Sequence, residues 1–70
     1  MARIIKYRVV SNMSVLKHFF ISGGHIYISE PIHRMNGIFD YECEVYDESQ
    51  IYIGSIRKSE FEKLNLINDN

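Results

Sequence analysis

Three histidines, one cysteine and a short row of carboxylates are the residues of this chain that could do chemistry. His18, His25, His33 and Cys43 are all of types that ligate zinc. Zinc sites are built on close pairs such as Cys-x-x-Cys or two histidines a helical turn apart, and no such pair occurs here. The spacing predicts no metal site and no cofactor. Cys43 sits in the run FDYECEVY, between Glu42 and Glu44. A reactive thiol needs cationic neighbours and solvent access, whereas burial and adjacent carboxylates raise a thiol pKa. Cys43 is therefore expected in the core. Asp40, Glu42 and Glu44 could be paired as general acid and base, but that chemistry needs a cleft that a solvated strand face does not offer. Ser22-Gly23-Gly24 is too short to cradle a phosphate. No catalysis is expected.

The same carboxylates carry a different possibility as a charged surface. Alternate residues of a strand are spaced about 6.6 to 6.8 Å apart, close to the phosphate spacing along one nucleic-acid strand. Asp40, Glu42 and Glu44, continued by Asp47 and Glu48, could imitate a short piece of DNA backbone and occupy a basic groove. The plainer reading is a solvated outer face that keeps the sheet from pairing edge to edge. Tyr46 falls on the acidic side of its strand, and Tyr52 opposes it across a turn. That tyrosine pair is a second candidate for protein contact. On the other side of the ledger stand Lys6, Arg8, Lys17 and Arg34, cations interleaved with Tyr7, as in surfaces that hold nucleic acid.

The elements that would position these groups follow from the periodicity. Gly37 to Ile56 contains the one strict two-residue alternation: Phe39, Tyr41, Cys43 and Val45 on one side, Asp40, Glu42 and Glu44 on the other. Asp47-Glu48-Ser49-Gln50 then breaks the run before Ile51-Tyr52-Ile53, which predicts an antiparallel hairpin with an apolar inner and an acidic outer face. Gly54 inside the second strand predicts a bulge or bend. Arg3 to Val10 predicts a first strand, with Ile5, Tyr7 and Val9 inward and Lys6 and Arg8 outward. Val15 to Ile21 reads as a strand followed by a Ser22-Gly23-Gly24 hairpin turn into residues 25–29, with a helix over 13–21 as the alternative. Glu30-Pro31 closes that third strand. Ser59-Glu60-Phe61-Glu62 fits a capping box opening a short helix, with Phe61 and Leu64 on its buried side.

Seventy residues make one domain that buries about 60% of the surface its unfolded form exposes. We expect a single mainly β domain over residues 1–67 and a disordered tail at 68–70. The net charge of −1 hides an asymmetry. Residues 1–37 carry five cations against Glu30, and residues 38–70 carry eight acids against Arg57, Lys58 and Lys63. Such a split marks either two binding faces or a basic strand lying beside an acidic hairpin and neutralising it. A single cysteine, no apolar leader and no membrane-length run predict a protein of a reducing cytoplasm, without a membrane partner. Eleven isoleucines, five asparagines and five tyrosines against one alanine and no tryptophan are the usage of AT-rich genes, as in low-GC bacteria and many phages.

Glycine, an alternating strand, an acidic turn, a short strand and then Ser59-Glu60-Phe61-Glu62-Lys63-Leu64 resemble the second half of small barrels of the Src-homology-3 type. The resemblance covers residues 25–64 and implies a mainly β, five-stranded antiparallel, partly closed barrel with a short C-terminal helical turn. The tryptophan and acidic-loop signature by which eukaryotic members hold proline-rich peptides is absent. So is the basic loop by which bacterial KOW-type relatives hold RNA. The resemblance therefore extends to architecture alone.

These strands of reasoning converge on a non-enzymatic module acting by protein–protein contact. The sharper expectation is a phage-encoded modulator or inhibitor of a bacterial host or defence protein. It would use Asp40, Glu42, Glu44, Tyr46, Asp47, Glu48 and Tyr52. The alternative is a barrel-type module that binds nucleic acid through Lys6, Arg8, Lys17 and Arg34.

Overall fold

The computed structural model describes residues 2–16, 19–33 and 41–69. Lys17, His18, Arg34, Phe39 and Asp40, all named above, lie outside the described residues. The chain runs β1 (Ile4–Val9), β2 (Met13–Val15), β3 (Phe19–Ile21), β4 (His25–Ser29), β5 (Ile32–His33), β6 (Tyr41–Tyr46), β7 (Tyr52–Arg57), α1 (Lys58–Phe61) and β8 (Leu66–Asn68). It is mainly β, with one short helix, as the alternation of apolar and polar residues requires.

The main sheet is organised by β6. One edge of β6 pairs with β4 and then with β5, and its other edge pairs with β7. β4 pairs in turn with β1, and β1 with β8, all antiparallel. Residues paired directly across strands share a face, so the register fixes both surfaces. Ile5–Ile28, Ile28–Val45 and Cys43–Ile56 stack inward, and Ile26, Ile28, Cys43 and Val45 are fully buried. Lys6, Tyr27, Tyr46 and Tyr52 form the matching outer row.

Two pieces cover the inner face. β2 and β3 form a separate two-stranded sheet, from which Met13, Val15, Leu16, Phe19 and Ile21 pack on the core. Phe61 and Leu64 cover it from the other end, with Phe61 edge-on to Tyr7 at 5.5 Å between ring centroids. The placement of Phe61 and Leu64 is the one read from their helical spacing.

Several expectations are corrected. Residues 15–21 are neither one strand nor a helix. Leu16 adopts φ +61, the chain reverses, and Val15 pairs with Phe19. Val15 lies in the core, and Leu16, Phe19 and Ile21 pack against it. Ser22-Gly23-Gly24 joins strands of two different sheets, and the Gly24 carbonyl accepts the Val9 N–H at 2.9 Å. The partly closed barrel is an open sheet. Among the described residues β7 pairs only with β6 and β8 only with β1. Tyr41 points inward by parity but lies at the end of the sheet, exposed, with its ring 5.2 Å from that of His33. Ser59 does not cap α1. β7 runs straight into the helix, so Arg57, still paired with Glu42, occupies the N-cap position without a side-chain cap. β8 ends at Asn68. Asn68 pairs with Tyr7, and the Asp69 N–H donates to the Lys6 carbonyl at 2.9 Å.

Breaks in the ladder are compensated locally. Between β4 and β5 the register on β6 slips by one residue at Glu30-Pro31. There the Ser29 hydroxyl accepts the Glu44 N–H at 2.8 Å and donates to the Glu30 carbonyl at 3.0 Å. A buried serine thereby replaces a backbone partner. Gly54 marks a bulge, as its type and place predict: Val45 pairs with Gly54 and Tyr46 with Tyr52, leaving Ile53 extra. Gly54 has φ +151, and a Cβ there would meet Leu16 Cδ1 at 2.8 Å. Both constraints predict that Gly54→Ala lowers unfolding free energy by about 1–3 kcal/mol, read as a fall in the denaturant midpoint. An unchanged midpoint would show that the bulge tolerates a side chain.

Candidate binding surface

Asp47 builds the tip of the β6–β7 hairpin. Its Oδ1 accepts the N–H groups of Ser49 and Ile51, each at 2.9 Å. Its carbonyl accepts the Gln50 N–H at 2.8 Å, and Gln50 adopts φ +64. This is a tight turn followed by a left-handed residue, the three-residue hairpin connection. Asp47 thus has a structural role that fixes where its charge sits. Glu48, next in the turn, is largely exposed, with its carboxylate over Gly24 and 3.5 Å from His25 Nδ1.

From this tip the outer face extends back along the hairpin. The Tyr46 and Tyr52 rings meet edge-on, 5.6 Å apart, as their direct pairing dictates. The Tyr46 hydroxyl donates to Glu44 Oε1 at 3.3 Å, and the Tyr52 hydroxyl lies 2.9 Å from that of Ser55. Partial burial pushes the Tyr46 pKa up, and the Glu44 charge, its hydrogen bond and Tyr52 add to the rise. Tyr46 therefore stays a neutral donor across the physiological range. The outer surface near Tyr46 also forms a groove lined by Ala2, Ile4, Pro31, Ile32, Glu44 and Tyr46.

The acidic row is not a bare one. Glu42 pairs directly with Arg57 on β7 and Glu44 with Ser55. Lys6 and Arg8 lie on the same outer face, two strands away on β1, with β4 between them and β6. Adjacent strands are about 4.8 Å apart, so the basic strand flanks the hairpin at a distance rather than lying beside it. The charge split of the sequence becomes a face of mixed sign.

Of the residues expected to carry binding, Glu42, Glu44, Tyr46, Asp47, Glu48 and Tyr52 come together on this hairpin. Lys6 and Arg8 fall at its flank. Asp40, Lys17 and Arg34 lie outside the described residues. Sequence reasoning missed His25 and the β3 aromatics. His25 Nε2 lies 2.8 Å from Asp69 Oδ2, and its Nδ1 lies 3.5 Å from Glu48 Oε2. It joins β4, the hairpin tip and the C-terminal segment. Nothing in the spacing of residues 25, 48 and 69 announces that meeting. Gly24 leaves room for the tip, since a Cβ there would stand 2.9 Å from Glu48 Oε1. Phe20 is 64% exposed. Its exposure follows from strand parity once β2 and β3 are seen to form a hairpin.

Cys43 lies in the core beneath this surface, fully buried. Burial pushes its thiol pKa up, with Lys58 lowering it and Glu62 raising it. The carboxylate that matters is thus Glu62 near α1, not the sequence neighbours Glu42 and Glu44, which point to the other face. Among the described residues no three of His, Cys, Asp and Glu gather where a metal ion could be held. Among the described residues no helix is long and apolar enough to cross a membrane.

Two outcomes are expected. Asp47→Ala removes the acceptor of two turn amides and costs about 1–2 kcal/mol of stability in urea unfolding, whereas Glu48→Ala stays within about 0.5 kcal/mol. Equal effects would mean that the Asp47 bonds do not hold the turn. Cys43, held as a buried neutral thiol, reacts with iodoacetamide at pH 8 only after denaturant unfolds the chain. Rapid labelling of the native protein, followed by mass spectrometry, would contradict its burial. With this geometry established, comparison with known proteins finds no family model, no curated protein and no solved structure that matches the chain.

Proposed function

We propose that this chain is a non-enzymatic binding module that acts by protein–protein contact through the outer face and tip of the β6–β7 hairpin. The observation that carries this reading is the Tyr46–Tyr52 pair. It is an edge-on pair of rings on the solvent side of the sheet, bordered by Glu42 and Glu44 and continuous with the acidic tip. Tyrosine presents a large, rigid, amphipathic area at small entropic cost, which is why it anchors interfaces. The surrounding face has both signs of charge, with Arg57 paired to Glu42 and with Lys6 and Arg8 at its flank beyond β4. Complementary charges of that kind select and orient a protein partner. They fit a regular row of phosphates, or its imitation, less well.

The AT-rich residue usage makes a bacterial host or defence protein, met by a phage product in the cytoplasm, the partner class to test first. The experiment is affinity capture of such a partner with the tagged chain, repeated with Tyr46→Ala/Tyr52→Ala and with Glu42→Lys/Glu44→Lys. Hot-spot tyrosines contribute about 2 kcal/mol or more each, so the tyrosine double variant loses the partner while retaining its fold by circular dichroism. Undiminished capture by both variants would overturn this surface. Fluorescence anisotropy with a short DNA duplex at low salt tests the rival. Salt-sensitive binding abolished by Lys6→Ala/Arg8→Ala would favour nucleic acid.

A further inference from the structure

The hairpin tip does not end in open solvent. Phe19, Phe20, Ile21, Ser22, Gly23 and His25 on one side face Asp47, Glu48 and Ser49 on the other. Together they enclose an open cavity of about 270 Å³. We propose that this cavity is a subsite for an arginine side chain presented by the partner protein. The proposal rests on the protein-contact reading above and names the chemistry of one contact within it.

Three properties of the lining select arginine. First, it joins aromatic wall to carboxylate rim. Phe20, which makes no ring contact among those described, is the most exposed large hydrophobic residue of the described chain at 64%. A guanidinium stacks on such a ring while donating to carboxylates with its forked N–H groups. Second, the charge balance is negative. Asp47 and Glu48 line the cavity, and Asp69 reaches the far nitrogen of His25. The described lining contains no lysine or arginine. Arg8, which pairs with His25 across β1 and β4, is not a lining residue. Third, the rim is held in place before any partner arrives. Asp47 is fixed by the Ser49 and Ile51 amides, and Glu48 lies over Gly24 within 3.5 Å of His25 Nδ1. A carboxylate already fixed, as that of Asp47 is, spends little conformational entropy on binding. A lysine would satisfy the charge but not the flat stacking geometry, and a neutral aromatic ligand would leave the carboxylates unanswered.

The test uses the full chain, labelled with nitrogen-15, and N-acetyl-arginine methylamide as the probe. Titration followed by amide shifts is expected to show saturable, millimolar binding. The shifts should centre on Phe20, Gly23, Glu48 and Ser49. The isosteric citrulline derivative, which lacks the charge, is expected to produce none. Phe20→Ala and Glu48→Gln are surface changes that leave the fold intact, and each weakens the probe about fivefold. Three results would overturn the proposal: no saturation into the tens of millimolar, equal response to the citrulline probe, or shifts centred on Glu42, Glu44 and Tyr46 instead. Failure here leaves the tyrosine surface standing, because partner capture by the Tyr46/Tyr52 variants is read independently. Conversely, loss of the tyrosine surface leaves the probe titration unaffected.

Discussion

Everything in this fold depends on β6 being paired along both edges while hiding two side chains completely. Cys43 and Val45 are fully buried, and β6 is the strand to which β4, β5 and β7 all attach. A strand in that position has no freedom of register. A slip of one residue would bury Glu42 and Glu44 and expose Cys43 and Val45, exchanging apolar burial for two desolvated carboxylates. The inner face then dictates its covers, the β2–β3 hairpin at one end and Phe61 with Leu64 at the other.

The same constraint explains the irregularities. A small open sheet must twist and bend to wrap its covers, and each bend interrupts a ladder. At Glu30-Pro31 the interruption is filled by the Ser29 hydroxyl, which takes the Glu44 N–H. At Ile53-Gly54 it is absorbed by a bulge whose glycine admits Leu16. At the hairpin tip Asp47 supplies a carboxylate to two amides. Each device is a polar group or a missing Cβ placed where the regular pairing fails. That is why the most specific residues of the chain lie at breaks rather than within strands.

The outer face is a by-product of this economy. Once the apolar side chains of β1, β4, β6 and β7 turn inward, the alternate positions must face out. These include Lys6, Tyr27, Glu44 and Tyr46. Their mixture of rings and charges of both signs makes that face polar and aromatic rather than broadly hydrophobic. The cavity at the tip adds a second recess to the groove beside Tyr46.

The alternating run around Cys43 and Val45 determined by itself which side of the hairpin is core, because a period of two admits only one division into faces. It also set the outward placement of Glu42, Glu44 and Tyr46 and the pairing of Tyr46 with Tyr52, while residue type at Gly54 announced the bulge and helical spacing the covering role of Phe61 and Leu64. These are consequences of local periodicity and short loops. What only the tertiary structure decided are the relations between distant segments. Parity alone could not say that residues 13–21 fold back on themselves, since that depended on Leu16 accepting a left-handed conformation in exchange for packing against Gly54. Nor could it open the barrel, extend the last pairing to Asn68, or part the basic strand from the acidic hairpin by inserting β4. The meeting of His25 with Glu48 and Asp69, and of Phe20 with the hairpin tip, arises for the same reason. Long-range contacts are set by how the two covers seat on one small core, and no spacing along the chain encodes that.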